Sequence, residues 1–379
     1  MRDNYILTAE SITEGHPDKL CDYIADSVLD ACLEHDPDAR VACEVLATAG
    51  KIIVAGEIST VRMPDIPHIV SKAVRETGYC SDYEIEVCVH EQSPDIAEAV
   101  DGGQTLGAGD QGIIYGYACN DTDELLPMPV VLAHRITRLL TNARRTGQIP
   151  ELMPDGKAQV SVEYEHGVPK RVAAVVVTTQ HSEDAEKSIL CAEIRRKILG
   201  PAFRDFPMDM DTKVLINPGG DFILGGFEAD TGLTGRKLMV DTYGGLVPHG
   251  GGALSGKDGT KVDRSAAYMA RHIAKNIVAS DLADECTVGL AYAIGEPEPV
   301  AVTVHTHGTG LYPDEVLEEA VKMIFDLTPE GMIHAMHLKS PRFAKWCNYG
   351  HFTHGDAPWE QTGSGTALEM ACAMIEAEV

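Results

Sequence analysis

One order of local patterns occurs three times along the chain: two β-branched runs around a turn, then a helical pattern. The predicted strand, strand and helix span 40–49, 51–60 and 65–77, then 158–165, 171–180 and 182–199, and finally 286–294, 300–306 and 314–325. Turn residues between β-branched runs predict hairpins, and apolar spacings of three and four predict helices. We therefore predict an α+β fold of three units, each a mixed or antiparallel sheet covered on one face by helices. Because no strict sequence repeat supports the units, a coincidental order of elements is the alternative.

The charge of the chain argues against two classes of partner. Its 379 residues include 31 Lys and Arg against 58 Asp and Glu, a formal net charge of −27. Such a field repels nucleic acid and anionic membrane surfaces, so we expect neither as a partner. The apolar runs are far shorter than the roughly 18 residues of a membrane span, and the N-terminus lacks an export pattern. Ten cysteines without a CxxC pair indicate a reduced, cytoplasmic compartment.

A charged turn, Thr13-Glu14-Gly15-His16-Pro17-Asp18-Lys19, comes directly before an amphipathic helical pattern. Pro17 suits the first helical position, so we expect His16 just outside a helix N-terminus, where backbone donors and the helix dipole favour an anion. Asp18 in this turn is a candidate ligand of Mg²⁺, which takes carboxylate oxygens and often shares them with phosphates. The alternative is an ordinary N-terminal turn in which Asp18 only complements the dipole.

The segment 236–271 reverses the sign of the chain's charge. Six cations and three acids give it a net charge of +3, and seven glycines fall between Gly244 and Gly259. Glycine lets the backbone approach a ligand closely, and fixed cations on such a loop suit a polyphosphate. The alternative is a solvated charged loop before a helix over 265–280 that Ser265 caps.

Part of this segment, Gly251-x-x-x-x-Gly256-Lys257, fits the first seven positions of a P-loop. Asp258, however, occupies the position that requires Ser or Thr, and the missing hydroxyl is the one that binds Mg²⁺. The predicted helix also begins only seven residues later. We interpret the segment as a phosphate-binding loop of another kind, and a P-loop NTPase or kinase is the first rival function.

Several long motifs in order resemble the S-adenosylmethionine synthetase (methionine adenosyltransferase) family over nearly the whole chain. The matching segments are Glu14-Gly15-His16-Pro17-Asp18-Lys19, Gly107-Ala108-Gly109-Asp110-Gln111-Gly112, Gly232-Leu233-Thr234-Gly235-Arg236-Lys237, Asp241-Thr242-Tyr243-Gly244-Gly245, His249-Gly250-Gly251-Gly252-Ala253, Ser255-Gly256-Lys257-Asp258, Lys261-Val262-Asp263-Arg264-Ser265-Ala266-Ala267 and Tyr349-Gly350-His351-Phe352. The resemblance implies three pseudo-threefold α+β domains interleaved along the chain, which we divide at 1–100, 107–226 and 227–379. It also implies a homodimer with shared active sites, often paired into a homotetramer.

The resemblance implies the reaction of ATP, L-methionine and water to S-adenosylmethionine, phosphate and diphosphate, with two Mg²⁺ ions per site and one activating K⁺ per subunit. Methionine sulfur attacks the ribose C5′ carbon and expels the whole triphosphate, which is then hydrolysed. A thioether is already nucleophilic, so no general base is required. Catalysis should rest on alignment and on preorganised positive charge around the leaving group. This agrees with a cationic loop and with the lack of a recognisable nucleophile–base pair in the sequence.

Site residues follow from the resemblance, position by position. His16 would contact the leaving triphosphate, Asp18 and Asp263 would bind Mg²⁺, and Glu44 would bind K⁺. The cations around the triphosphate would be Lys157, Arg236, Lys237, Lys257 and Lys261. The remaining nucleotide contacts would be Asp110, Asp155, Phe222, Asp230 and Ala253, and the methionine contacts Glu57, Gln92, Asp230 and Lys261. The segment 92–103 corresponds to a mobile loop that closes over the site.

Several of these residues also have an ordinary structural interpretation. Glu44 and Glu57 lie on alternating strand patterns and would otherwise be solvated, and Lys157 follows Pro-Asp-Gly and would be a surface lysine of a turn. Phe222 precedes two apolar residues and would otherwise be core.

The sequence departs from the family pattern at Asp221, since the residue before Phe222 is usually basic. We expect this change to lower ATP affinity unless another cation substitutes. The second rival function is a non-catalytic, nucleotide-binding relative, but none of the charged catalytic positions is lost.

Overall fold

The computed structural model describes residues 4–94, 105–340 and 342–378. The strands are β1 (Asn4–Ile12), β2 (Arg40–Thr48), β3 (Lys51–Ser59), β4 (Glu84–His90), β5 (Gly112–Cys119), β6 (Leu152–Glu165), β7 (Val168–His181), β8 (Lys213–Ile216), β9 (Gly232–Leu233), β10 (Glu285–Tyr292) and β11 (Ala301–His305). The helices are α1 (Pro17–His35), α2 (Ile66–Thr77) and, further along, Met128–Arg145, Lys187–Ile194, Gly200–Ala202, Leu238–Asp241, Val262–Ala279, Asp314–Ile324, Pro329–Ala335, Phe343–Trp346 and Gly365–Glu378. A π-helical turn spans Arg195–Leu199, and 3₁₀ turns span Gly226–Glu228 and Pro358–Glu360.

The strands form three sheets, and each sheet includes one strand from a distant part of the chain. The first has the order β1-β6-β7-β8, the second β11-β10-β5 and the third β4-β3-β2-β9. In the first sheet, β1 pairs antiparallel with β6, so that Ile12 lies opposite Lys157. β7 with β8 and β3 with β4 are parallel pairs, so the first and third sheets are mixed and the second is antiparallel.

Helices cover one face of each sheet. α1 packs on β2 and α2 on β4, the helix Met128–Arg145 packs on β1 and β6, and the helix Val262–Ala279 packs on β5 and β10. No helix in the described part of the chain combines the length and the hydropathy needed to cross a bilayer. The predicted α+β class of three helix-covered sheets is therefore confirmed, whereas the domain boundaries stay a prediction.

The burial pattern of β2 distinguishes the two faces of the third sheet. Val41, Cys43 and Val45 are buried, and they alternate with the exposed side chains of Glu44 and Leu46. Such alternation is typical of a sheet with one face on the core. Among the described residues, the outward face of β2 is exposed at Glu44, Leu46 and Thr48.

Three local interpretations of the sequence, two of them alternatives, differ from the structure. Lys157 lies within β6, not in a turn, because Pro-Asp-Gly continues the strand through a shift of register. The third long helix begins at Val262 after Lys261, and Ser265 does not cap it, since its hydroxyl donates to the carbonyl of Lys261 at 3.3 Å. The predicted helix over 182–199 begins at Lys187.

Candidate active site

His16 lies at the junction between the first sheet and α1. β1 ends at Ile12 opposite Lys157, and a short turn then leads into Pro17, the first residue of α1. The Nδ1 atom of His16 accepts a hydrogen bond from the backbone N–H of Asp18 at 3.2 Å. Burial, together with the positive charges of Lys157 and Lys237, lowers the pKa of His16 to about 3. His16 is therefore neutral at physiological pH and carries its proton on Nε2, as a hydrogen-bond donor.

The turn before α1 is fixed by contacts from three other parts of the chain. Thr13 donates through Oγ1 to the carbonyl of Pro154 at 2.7 Å, and the Tyr79 hydroxyl donates to the carbonyl of Gly15 at 2.7 Å. The buried carboxylate of Glu14 accepts hydrogen bonds from Arg144 at 2.6 Å and from Arg145 at 2.7 and 2.8 Å. The backbone around His16 is thus preorganised.

Asp18 connects this turn to the cations that follow β9. Its Oδ2 accepts from Lys237 Nζ at 2.7 Å, and its Oδ1 accepts from the backbone N–H of Leu233 at 3.0 Å and lies 3.3 Å from Arg236 Nε. Burial opposes ionisation, but the hydrogen bonds from Lys237 and Leu233 outweigh it and lower the pKa of Asp18. We call His16, Asp18, Lys157, Arg236 and Lys237 the His16 group.

Asp155 extends the His16 group toward the loop after β8. Its Oδ2 accepts a hydrogen bond from the backbone N–H of Gly226 at 3.0 Å. Burial raises the pKa of Asp155 to about 6, and the nearby carboxylate of Asp230 acts in the same direction, against the opposing effects of the Gly226 N–H and Lys157. Asp230 is itself exposed and accepts from the backbone N–H of Thr231 at 2.9 Å.

The second cationic segment is attached to the edge of the third sheet. Lys257 forms an isolated antiparallel bridge with Ala42 of β2, flanked by hydrogen bonds from Cys43 N to Gly256 O and from Asp258 N to Val41 O. Ala42 is also paired with Glu57 of β3, so Lys257, Ala42 and Glu57 lie side by side across three neighbouring segments. This arrangement differs from the strand–loop–helix of a P-loop, in agreement with the prediction from Asp258 at the Ser or Thr position.

The carboxylates of this segment hold its cations. Asp258 accepts from the backbone N–H of Val41 and from Lys261 Nζ, both at 2.6 Å, and from the N–H and hydroxyl of Thr260. Asp263 lies at the start of the following helix and accepts from Lys257 Nζ at 2.6 Å. We call Lys257, Lys261 and Asp263 the Lys257 group.

Two predicted nucleotide contacts adjoin these groups through the backbone. Asp110 is exposed in a loop whose Gly109 N–H donates to the carbonyl of Thr260 at 3.3 Å. Ala253 packs against Gly235, where an added Cβ would lie 2.6 Å from the Ala253 Cβ.

The other predicted site residues lie further out. Phe222 is half-buried, not core, and its N–H donates to His181 Nε2 at 3.1 Å. Glu57 lies 3.4 Å from His90 Nε2, and the Gln92 N–H donates to the Ser59 hydroxyl at 3.1 Å. Glu44 is exposed on the outward face of β2. Of the predicted closing loop over 92–103, residues 95–103 lie outside the described part of the chain.

Family models match almost the whole chain, in three consecutive parts. The N-terminal domain of S-adenosylmethionine synthetase matches residues 4–100, its central domain 105–222 and its C-terminal domain 224–361. The chain belongs to the S-adenosylmethionine synthetase family. Two relatives, the S-adenosylmethionine synthases of two strains of Thermus thermophilus, are each 50% identical over 389 aligned residues. The alignments cover 97% of this chain and 98% of each relative, and they confirm the resemblance predicted from the motifs.

The sequence analysis missed a row of aspartates on α1, of which the buried Asp22 and Asp26 bind the residues directly before the cations of the two groups. Asp22, Asp26 and Asp30 follow Asp18 at intervals of four residues and accept hydrogen bonds from backbone N–H groups of later segments. The four-residue spacing was a readable signal, because residues i and i+4 share one face of a helix. The prediction of this helix used only its apolar residues.

The donor set fits Mg²⁺ only if the substrate completes it. No group of three or more His, Cys, Asp or Glu side chains within residues 4–94, 105–340 and 342–378 is arranged to hold a metal ion. Asp18 and Asp263 each offer hard carboxylate oxygens beside cations that suit phosphate. Mg²⁺ commonly binds through one or two carboxylates plus substrate phosphates and water, so these residues fit a metal that arrives with ATP.

Proposed function

We propose that the His16 group and the Lys257 group together form the site at which this chain makes S-adenosylmethionine. The chain is a methionine adenosyltransferase, which converts ATP, L-methionine and water into S-adenosylmethionine, phosphate and diphosphate. The observation that carries the assignment of the site is that two separate cationic segments, each beside a carboxylate, are joined to one helix, α1.

Chemistry at this site rests on the leaving group. Methionine sulfur attacks C5′ with its own lone pair, the C5′–O bond breaks, and the electron pair stays on the triphosphate. His16, neutral and donating through Nε2, stabilises the oxygen on which this charge develops. Neutral His16 does not need to transfer its proton, because triphosphate is a stable anion among fixed cations.

The fixed positive charges around the triphosphate are those of Lys157, Arg236, Lys237, Lys257 and Lys261. In the free chain, Lys237 is paired with Asp18 and Lys257 with Asp263. Phosphate oxygens therefore replace or share existing partners instead of meeting bare cations, which lowers the cost of holding like charges together before ATP binds. The same cations then bind tripolyphosphate while it is hydrolysed.

The remaining side chains divide between the two substrates. The nucleotide is contacted by Asp110, Asp155, Phe222, Asp230 and Ala253. Glu57, Gln92, Asp230 and Lys261 contact methionine. The strand register supports the assignment of Glu57 to the site. Glu57 and Lys257 lie on either side of Ala42 in the third sheet, so a proposed methionine contact lies in the same row as a proposed triphosphate contact.

Two kinds of metal ion serve this site. Asp18 and Asp263 hold two Mg²⁺ ions, which neutralise triphosphate charge when bound. Glu44, whose carboxylate is exposed on the third sheet, binds one K⁺ per subunit. Removing Mg²⁺ with a chelator should abolish turnover, and adding Mg²⁺ should restore it.

Two copies of the chain share their sites through the outward face of the third sheet, and the dimers pair into a tetramer. This face carries Glu44 and Glu57 together with Leu46, which is 39% exposed and lies opposite Leu233. Exposed apolar residues beside proposed site residues favour a subunit contact there. The protein is cytoplasmic, in keeping with its ten free cysteines.

Mass analysis of the products tests the activity. Purified protein with ATP, methionine, Mg²⁺ and K⁺ should release S-adenosylmethionine, phosphate and diphosphate, and no ADP. ADP would support the kinase alternative, and bound but unreacted ATP would support the non-catalytic one.

Complementation tests the sharing of sites between subunits. If one site takes His16 and Lys257 from different subunits, mixing inactive His16→Ala and Lys257→Ala proteins under subunit exchange restores about a quarter of wild-type activity, since half of the dimers are mixed and each mixed dimer has one intact site. If both residues serve the site from the same subunit, the mixture stays inactive.

A further inference from the structure

We propose that Asp22 and Asp26 of α1 are positioning residues, which hold the backbone of the two cationic segments in place for catalysis. This inference rests on the roles proposed above for Arg236, Lys237 and Lys257. It concerns residues to which neither the motif comparison nor the proposed function assigns a substrate contact.

Each aspartate binds the residue directly before a cation. Asp22 Oδ1 accepts from the backbone N–H of Gly235 at 2.9 Å, and Arg236 and Lys237 follow. Asp26 Oδ1 accepts from the backbone N–H of Gly256 at 2.8 Å, and Lys257 follows. The two contacts join α1 to residues 213 and 230 positions later in the chain. The same helix thus sets the start of both cationic segments.

Asp26 holds the backbone of Gly256 and Lys257 at two points, one directly and one through Arg264. While Asp26 binds the N–H of Gly256, its Oδ2 accepts from Arg264 at 2.8 Å, and Arg264 in turn donates to the carbonyl of Lys257 at 2.9 Å. Both side chains are fully buried. The Gly256–Lys257 backbone is therefore held at its N–H and at its carbonyl by one ion pair.

Both glycines adopt backbone conformations that a side chain would disfavour. Gly235 has φ 78° and Gly256 has φ 81°, in the left-handed region. A Cβ at Gly256 would also collide with the carbonyl of Cys43. Because the glycines have no side chains to fix these turns, the buried carboxylates of α1 fix them instead.

Asp30, which is half-buried eight residues after Asp22 on α1, provides the control. Its oxygens accept from the backbone N–H groups of Phe343 at 2.8 Å and Ala344 at 3.0 Å. It therefore has the same kind of contact as Asp22, but it holds a helix that contains none of the proposed site residues. If Asp22 only stabilised the fold, Asp22→Ala would lower the melting temperature and leave kcat unchanged, as we expect for Asp30→Ala.

Asp22 is the better test position because its removal leaves no isolated charge. Lys19 lies 2.9 Å from Asp22 and also pairs with the buried Asp241, so the Lys19–Asp241 pair remains. Asp26, in contrast, is the partner of the buried Arg264, and its loss would leave that cation unpaired.

The experiment compares Asp22→Ala, Asp22→Asn and Asp30→Ala as full-length protein, well below their melting temperatures. We expect Asp22→Ala to lower kcat by about 10- to 100-fold, because a displaced cation no longer meets the leaving group. Asp22→Asn keeps an acceptor for the Gly235 N–H and should stay within about threefold of wild type. Asp30→Ala should lower the melting temperature and leave kcat within about twofold, as expected where no site residue is held.

The proposal is overturned if Asp22→Ala keeps wild-type kcat, or if Asp30→Ala loses as much kcat as Asp22→Ala does. Should Asp22→Ala not fold, Asp22→Cys replaces it, since a thiol is a similar size but a weak acceptor. Lys237→Ala, measured alongside, separates the two levels of inference. An active Lys237→Ala would mean that the proposed cation role has failed, whereas an inactive Lys237→Ala with an active Asp22→Ala would mean that only the positioning role has failed.

Discussion

His16 Nδ1 accepts a hydrogen bond from the backbone N–H of Asp18 at 3.2 Å, which turns Nε2 into the donor of a neutral imidazole. This contact is an N-cap interaction, in which a side chain satisfies a free N–H of the first helical turn. In most helices that bond serves stability alone. Here it also selects the histidine tautomer that can donate to an anionic leaving group.

We predict that His16→Ala lowers kcat by about 10²- to 10³-fold, the loss typical when one donor to a developing anion is removed. Steady-state turnover with unchanged circular dichroism would measure it. His68→Ala, which alters an exposed histidine on α2, is the matched control and should keep full activity. Because the pKa of His16 is about 3, comparing the pH profiles of the two proteins should reveal no ionisation of His16 between pH 6 and 8. Such an ionisation would contradict the neutral-donor role.

Lys257→Ala should lower kcat by about 10²- to 10³-fold, since a fixed charge on the triphosphate is lost. Lys322→Ala is the control, because this exposed lysine pairs with Glu319 of its own helix, Asp314–Ile324, which contains none of the proposed site residues. Rates and melting temperatures of both variants separate catalysis from folding. Comparable rates in the two variants would remove Lys257 from the site.

Replacing Asp221 by lysine should lower the KM for ATP by about two- to fivefold, as one exposed charge interaction contributes roughly 0.2–1 kcal/mol. Asp221 is exposed directly before Phe222, so a cation there would face the nucleotide side of the site. Asp211→Lys, which makes the same change at another exposed aspartate, should leave the KM unchanged. An equal effect of both substitutions would indicate a general change in charge.

Acid should destabilise the protein through His134. Burial, with nearby cationic groups, lowers the pKa of His134 to about 3. Between about pH 6.5 and pH 3 the unfolded state therefore binds a proton that the folded state does not, and the free energy of unfolding falls as the pH falls, by up to about 1.4 kcal/mol per pH unit.

Urea unfolding at pH 7 and at pH 5.5 measures this effect. His134→Gln should lose less stability than wild type on acidification, because the variant removes one of the titrating groups. Equal losses in the two proteins would show that His134 does not contribute.

Local patterns predicted much of the fold, because hairpins and amphipathic helices depend on neighbouring residues. The pairing of β1 with β6 could not be predicted in this way, since strand partners distant in sequence leave no local mark. The same limit applied to Lys157. Pro-Asp-Gly is typical of a turn, but pairing with β1 and β7 keeps this segment in the sheet despite its irregular register.

The site was predicted mainly from motifs, and the motifs did not predict the role of the buried aspartates on α1. Asp22 and Asp26 are charged residues in a helix interior, which composition rules assign to the surface. They are buried because distant backbone N–H groups and cations compensate their charge. Only the folded chain reveals those partners.

The exchange of strands among the three sheets bears on how the polypeptide is synthesised. In the β1–β6 pair, Thr8 contacts Ser161, which lies 153 positions later in the chain. In the second sheet, β5 likewise pairs with β10, which is synthesised much later. A ribosome therefore releases the first third of the molecule with β1 still lacking its partner. Neither the first nor the second sheet can be completed by a nascent fragment confined to one third of the molecule, so a truncated translation product would expose an open sheet edge to aggregation.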